Sequence, residues 1–167
     1  LDLRKRLSLF FPSSAGLRDE LSFSTRSPSE LQVAQGDLAG ARARFQESLD
    51  LRKRLSLADP SSASLLRDVS VSLERLGSVQ VAEGDLAGAR ARFQESLDLR
   101  KRLSLADPSS ATLQRDVWVS MWRLMQFPNS GITWSQIAAH LEDMQRRGVL
   151  NPPDVRFLEE ARRRAQP

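Results

Sequence analysis

The chain has 167 residues, a hydrophobic fraction of 40% and a net charge of +4 from 25 basic and 21 acidic side chains. This composition can bury a core, and so small a basic excess is not typical of a dedicated nucleic-acid binder. The absence of cysteine excludes disulfides and thiol chemistry, and with no long apolar run and no signal-like N-terminus we expect a soluble, cytoplasmic protein without a membrane span.

The N-terminal nine residues repeat further along the chain. Residues 1–9 have the sequence LDLRKRLSL, which returns at 49–57 and 97–105. The chain therefore begins partway along a repeat helix, and we expect it to be a fragment of a longer array. A helix without its preceding partner leaves an apolar edge that favours self-association. The candidate residues for this contact are Leu1, Leu3, Leu7, Phe10 and Phe11.

Residues 14–34 should form the first helix of the next pair. Their middle departs from the later copies and contains Pro28. Because proline lacks the N–H and clashes with the preceding turn, we expect this helix to be irregular.

The central feature of the sequence is an internal repeat. The 28 residues from 36 to 63 return without a change at 84–111, a period of 48 residues. Leu38, Ala41, Phe45 and Leu49 have the spacing of one apolar helical face, which predicts helices at 38–58 and 86–106. The segments 62–82 and 110–127 also carry apolar stripes, and Gly84 is placed to end the first of them as a left-handed cap. Each repeat is thus predicted to be two antiparallel helices.

The tail after residue 127 has a different sequence with its own helix boundaries. Thr133 and Gln136 have the spacing of a capping box, Gly148 is a candidate C-cap, and Pro152 suits a first helical position. We therefore predict two further helices at about 134–147 and 152–165. Residues 128–167 would form a pair that caps the apolar end of a repeat array spanning 1–127.

Several positions of the repeat resemble the tetratricopeptide motif. Leu76, Gly77, Gly84, Ala89 and Phe93 have its spacing, and the period of 48 is the usual 34 plus 14, so each helix is seven residues longer, as in extended bacterial repeats. The resemblance implies an all-α fold, a right-handed superhelical α-solenoid of antiparallel helix pairs with a C-terminal helical cap. It also implies a non-catalytic scaffold that binds a protein or peptide on the concave face.

The resemblance assigns that face to the first helix of each pair. The candidate partner-binding residues are Arg67, Val71, Glu74, Ser78, Arg115, Trp118, Val119 and Trp122. An arginine row can pair with acidic side chains or a peptide carboxylate. The alternatives are that both arginines are solvated or paired with nearby acids, and that both tryptophans pack against the terminal helices.

Other chemistry finds little support in the sequence. The basic residues of the second helices, among them Arg42, Lys53 and Arg54, alternate with acidic ones, which favours a solvated face over a nucleic-acid site. His140 is the only histidine and lacks the second ligand that a metal needs. No nucleophile stands with a base, so we predict no enzyme activity, no cofactor and no nucleic-acid or membrane partner. The alternative to a scaffold is a structural module that oligomerises through its N-terminal edge.

Overall fold

The structure, a computed structural model, describes residues 36–166, and this part of the chain is helical without a strand. The all-α prediction is therefore confirmed for these residues. The α-helices are α1 (Leu38–Ala58), α2 (Ala63–Glu83), α3 (Leu86–Ala106), α4 (Ala111–Met125), α5 (Trp134–Arg146) and α6 (Val155–Ala165), and a 3-10 turn (Pro152–Asp154) precedes α6. The helices predicted at 1–9 and 14–34, and the self-association residues between 1 and 11, lie outside the described residues.

The described chain divides into two compact units, with the boundary between Ser96 and Leu97. The first unit contains α1, α2 and the beginning of α3. The second contains the rest of α3, then α4, α5 and α6. Each unit has its own buried core.

In the first unit, α1 and α2 pack against each other through the apolar faces that the sequence predicts. Ala41, Phe45 and Leu49 of α1 are almost fully buried, as are Leu73 and Leu76 of α2, among others. Full burial of a leucine or phenylalanine contributes roughly 1.5–3 kcal/mol, so this interface is a large part of the unit's stability.

Gly77 brings α3 close to α2. A Cβ at this position would lie 3.3 Å from two ring carbons of Phe93. That is closer than most side chains tolerate, so the glycine lets the Phe93 ring, which is 4% exposed, pack on the α2 backbone.

The helix ends of the two copies are capped in the same way. The Gly40 N–H donates to Asp37 Oδ1 at 2.9 Å, and the Gly88 N–H donates to Asp85 Oδ1 at the same distance. Such N-caps are worth about 1 kcal/mol each. Gly84 ends α2 with φ of 88°, the left-handed conformation that glycine adopts without strain. The predicted C-cap at Gly84 is confirmed.

The two copies also share their hydrogen bonds between helices. Arg52 donates to the Asp68 carbonyl at 3.1 Å and to Ser72 Oγ at 2.8 Å. Forty-eight residues later, Arg100 donates to the Asp116 carbonyl at 3.2 Å and to Ser120 Oγ at 2.8 Å. The hydrogen bonds from α1 to α2 in the first unit are therefore repeated from α3 to α4 in the second unit.

In the second unit, α5 and α6 add an apolar layer that includes Ile137, Leu141, Met144 and Leu158, each at most 1% exposed. The predicted capping box at Thr133 is present: its side chain accepts from the Gln136 N–H, and the Gln136 side chain accepts from the Thr133 N–H. The element bounds differ slightly from the predicted ones. Helix α4 ends at Met125, and the last helix starts as a 3-10 turn.

Candidate functional site

The candidate binding face of α2 consists of residues whose side chains are neither buried nor fully exposed. Arg67, Val71 and Ser78 are half-buried, and they lie on one side of α2 because their spacing is close to whole helical turns. Glu74, in the same row, is only 7% exposed. Ser78 Oγ donates to the Glu74 carbonyl at 2.9 Å, a bond within the helix. We call Arg67, Val71 and Ser78 the α2 row.

The corresponding arginine of α4 is held in an ion pair. Arg115 Nε lies 3.0 Å from Asp154 Oδ2, and Asp154 is 3% exposed. The Arg115 guanidinium also lies 5.6 Å from the centroid of the Trp118 ring, within cation–π range. Arg115 therefore joins α4 to the turn before α6, which matches the alternative that this arginine is paired with a nearby acid.

Trp118 and Trp122 are part of the core of the second unit. Trp118 is 0% and Trp122 is 4% exposed. Both rings pack on Phe157 of α6: its centroid lies 4.5 Å from that of Trp118 and 6.0 Å from that of Trp122, the latter edge-on. Val119 is also buried. These three residues present almost no side-chain surface to a partner, whereas the half-buried α2 row is partly accessible.

A polar cluster that the sequence did not predict joins α5 to the loop before α4. Gln114 is 3% exposed, and its Nε2 donates to the Ser104 carbonyl at 2.9 Å. His140 Nε2 lies 2.9 Å from the Gln114 carbonyl, and Arg147 donates to the Pro108 carbonyl at 2.7 Å. Nothing in the sequence indicates that Gln114, with no copy in the α2 helix, would be the centre of this cluster.

The same cluster perturbs the histidine. Burial lowers the pKa of His140 below its ordinary value of 6.5, and the charges of Arg147 and Lys101 lower it further. The hydrogen bond to the Gln114 carbonyl and the charge of Asp143 act in the opposite direction. His140 is thus a neutral, half-buried structural histidine at neutral pH.

Many of the basic side chains on the second helices have acidic or carbonyl partners. Arg42 lies 2.9 Å from Glu83, and Lys53 lies 2.7 Å from Glu95, linking α1 to α3. Each exposed pair of this kind stabilises the fold by no more than about 1 kcal/mol. Much of the positive charge of this surface is therefore locally balanced.

Within residues 36–166, no three His, Cys, Asp or Glu side chains come together as a metal site would require. In the same range, each helix is too short or too polar to cross a bilayer. Comparison with known proteins finds no match to a family model, to a curated protein or to a solved structure. The tetratricopeptide resemblance consequently depends on the motif positions in the sequence itself.

Proposed function

We propose that the chain is a non-catalytic binding module of the tetratricopeptide type, in which helix pairs follow one another as a right-handed superhelical solenoid. Its partner is a protein or peptide rather than nucleic acid. Its location is the cytoplasm, because a chain without cysteine does not depend on disulfides that the reducing conditions there would break. The observation that carries the proposal is the α2 row, which stays accessible on a helix whose opposite side is almost fully buried.

The geometry of the α2 row suits an extended peptide. Arg67 and Val71 are four residues apart, about 6 Å along the helix axis, and Ser78 lies about 16 Å from Arg67. An extended strand covers this length with about five residues. The row presents the positive charge of Arg67, which attracts a carboxylate, the methyl groups of Val71, and the Ser78 hydroxyl oxygen, which can accept a hydrogen bond while its proton stays on the Glu74 carbonyl. The preferred ligand is therefore a short segment with an acidic group followed by an apolar side chain.

The repeated hydrogen bonds support this role because they hold α2 in place. Arg52 of α1 bonds to α2 at Asp68 and Ser72, and Ser96 Oγ of α3 donates to the Ser70 carbonyl at 3.0 Å. A binding row on a helix fixed from both neighbours loses little conformational freedom when a peptide binds. Arg115 and the tryptophans contribute to folding of the second unit in this proposal, not to binding.

The test uses a defined set of short peptides that combine an aspartate or glutamate with an apolar residue at varied spacing. Binding to the isotope-labelled chain is followed by changes in backbone amide NMR shifts. We expect the changes to cluster on α2, and Arg67→Glu to weaken the best peptide at least about tenfold, which corresponds to about 1.4 kcal/mol. Arg44→Glu, an exposed arginine on α1, is the matched control and should leave affinity unchanged.

Two results would argue against the proposal. One is that no peptide of the set changes the NMR shifts of the α2 backbone amides. The other is binding that Arg67→Glu and Val71→Asp leave intact while both variants stay folded by circular dichroism. If the shifts appeared instead on α5 and α6, the binding face would belong to the C-terminal helices.

The alternative function, self-association through Leu1, Leu3, Leu7, Phe10 and Phe11, stays a prediction because these residues lie outside the described part of the chain.

A further inference from the structure

Helix α6 covers a part of α4 that differs from the corresponding part of α2. One period earlier in the chain, Ser70 corresponds to Trp118 and Glu74 corresponds to Trp122. Both tryptophan rings pack on Phe157 of α6. The aromatic residues that distinguish α4 from its copy are therefore the ones that α6 contacts.

The covering segment combines a carboxylate with an aromatic ring three residues later. Asp154 accepts hydrogen bonds from Arg115 Nε, at 3.0 Å to Oδ2 and 3.3 Å to Oδ1. The Phe157 ring centroid lies 4.5 Å from that of Trp118. Charge pairing holds one end of the segment, and ring packing holds the other. A binding face that consists of an arginine and an apolar surface recognises an acidic peptide segment by the same chemistry.

Much of the attachment of α6 is ionic and close to solvent. Leu158 and Ala161 are the fully buried residues of this helix, and Phe157 is half-buried. Arg162 pairs with Glu142 of α5 at 2.7 Å, but the two side chains are 48% and 42% exposed. Exposed ion pairs contribute little to stability, and segments with few buried apolar contacts open more readily than the core. We therefore expect α6 to open before the rest of the second unit unfolds.

The contact between α6 and α4 also leaves a buried donor without an acceptor. Trp118 is 0% exposed, and its Nε1 has no hydrogen-bond partner within residues 36–166. A buried donor without an acceptor lowers the stability of the contact. A segment of another protein that places an acceptor beside this Nε1 gains a hydrogen bond that α6 does not make.

We propose that Arg115, Trp118 and Trp122 form a second partner-binding site on α4, which α6 occupies as an internal ligand until a partner segment displaces it. We call these three residues the α4 site. The partner is a protein segment with a carboxylate and, three residues later, an aromatic ring, as at Asp154 and Phe157. While α6 is in place, the site is closed and its residues belong to the core. The inference does not depend on the α2 row, because it concerns a different helix.

The first test measures binding of a fluorescent peptide with the sequence of residues 151–166 to the full chain. In the wild-type chain, the tethered α6 competes at an effective concentration on the order of millimolar, so we expect weak binding. Phe157→Ala in the chain weakens the internal ligand and leaves the residues of the α4 site unchanged. This variant should bind the peptide at least about tenfold more tightly than wild type. The matched control peptide carries Asp154→Asn and Phe157→Ala and should not bind.

The location of the bound peptide separates the α4 site from the α2 row. The changes in backbone amide NMR shifts should lie on α4, and adding Arg67→Glu to the Phe157→Ala chain should leave the affinity unchanged. Shifts confined to α2, or loss of binding with Arg67→Glu, would assign the peptide to the α2 row and contradict a site on α4. A negative result for the α2 row in its own test leaves these expectations as they are.

Hydrogen exchange tests the opening of α6 in the wild-type chain, without a substitution that could unfold it. We expect the hydrogen-bonded amides of α6 to exchange at least about tenfold faster than those of α4, through an opening that leaves α4 folded. If α6 exchanges only through global unfolding, it is a fixed part of the core and the proposal is wrong. Equal binding of the two peptides, or no gain in affinity from Phe157→Ala in a chain that circular dichroism shows to be folded, overturns it as well.

Discussion

The ion pair between Arg115 and Asp154 gives the sharpest test of how the C-terminal helices are attached. Arg115 Nε lies 3.0 Å from Asp154 Oδ2, and the carboxylate side chain is 4% exposed. Arg115→Met would keep most of the aliphatic contact but remove the guanidinium that pairs with this buried carboxylate. Breaking a fully buried pair in this way costs about 3–5 kcal/mol. The Arg115 side chain remains 23% exposed, and water reduces the expected loss to about 2–3 kcal/mol.

The repeat supplies a matched control for this substitution. Arg44 of the duplicated helix α1 is exposed, so Arg44→Met should lower the free energy of unfolding by less than about 1 kcal/mol. Asp154→Asn should cost less than Arg115→Met because it leaves no buried charge. The double variant should cost clearly less than the sum of the two single ones, since both remove the same interaction.

Urea denaturation measures these differences unit by unit. All three tryptophans, Trp118, Trp122 and Trp134, lie in the second unit, so their fluorescence reports its unfolding, while circular dichroism reports every helix. If Arg115→Met lowers the free energy of unfolding no more than Arg44→Met does, or if the two single losses add fully in the double variant, the ion pair does not stabilise the attachment of the C-terminal helices.

Three further predictions concern single residues. Burial lowers the pKa of His140 below 6.5, so as the pH falls the unfolded chain binds this proton before the folded chain does. The free energy of unfolding should therefore be highest above about pH 6.5 and should fall as the pH drops through the folded pKa. His140→Gln should make the urea midpoint less dependent on pH between about pH 7.5 and about pH 5. Gly88→Ala would place a Cβ 2.2 Å from Asp85 Oδ2 and should lower the free energy of unfolding by about 1–2 kcal/mol because it disrupts the N-cap. Adding Asp85→Ala should cause little further loss, and fully additive losses would contradict this. Phe157→Ala should cost about 2–4 kcal/mol and shift tryptophan emission to longer wavelength, whereas unchanged emission would show that Phe157 does not shield the rings.

The local structure of the described chain follows from local sequence. Asp37 and Asp85 cap helices because a short acceptor side chain three residues before an available N–H needs no tertiary help. Gly84 and Thr133 act through equally short-range geometry. The caps at Gly84 and Thr133 could be predicted because each depends on residues within one turn. The periodicity of the apolar residues likewise predicted which side of α1 and α2 would be apolar.

Contacts between distant segments could not be predicted in the same way. Asp154 follows Arg115 by 39 residues, and nothing in either neighbourhood indicates the other. The resemblance to the motif predicted that Arg115 and Trp118 lie on a binding face. In the structure, Arg115 pairs with Asp154 just before α6, and Trp118 packs on Phe157 of α6. A residue's position in the repeat predicts its exposure only where the neighbouring segments are also repeats. Residues 128–167 are not a copy of the repeat, so the exposure of α4 residues beside them could not be predicted in this way.

The duplicated stretch shows the same limit from the opposite direction. Leu55 and Leu103 have identical neighbours for many residues on either side, yet one is 46% and the other 5% exposed. Sequence identity therefore specifies the helix and its caps but not what lies against it.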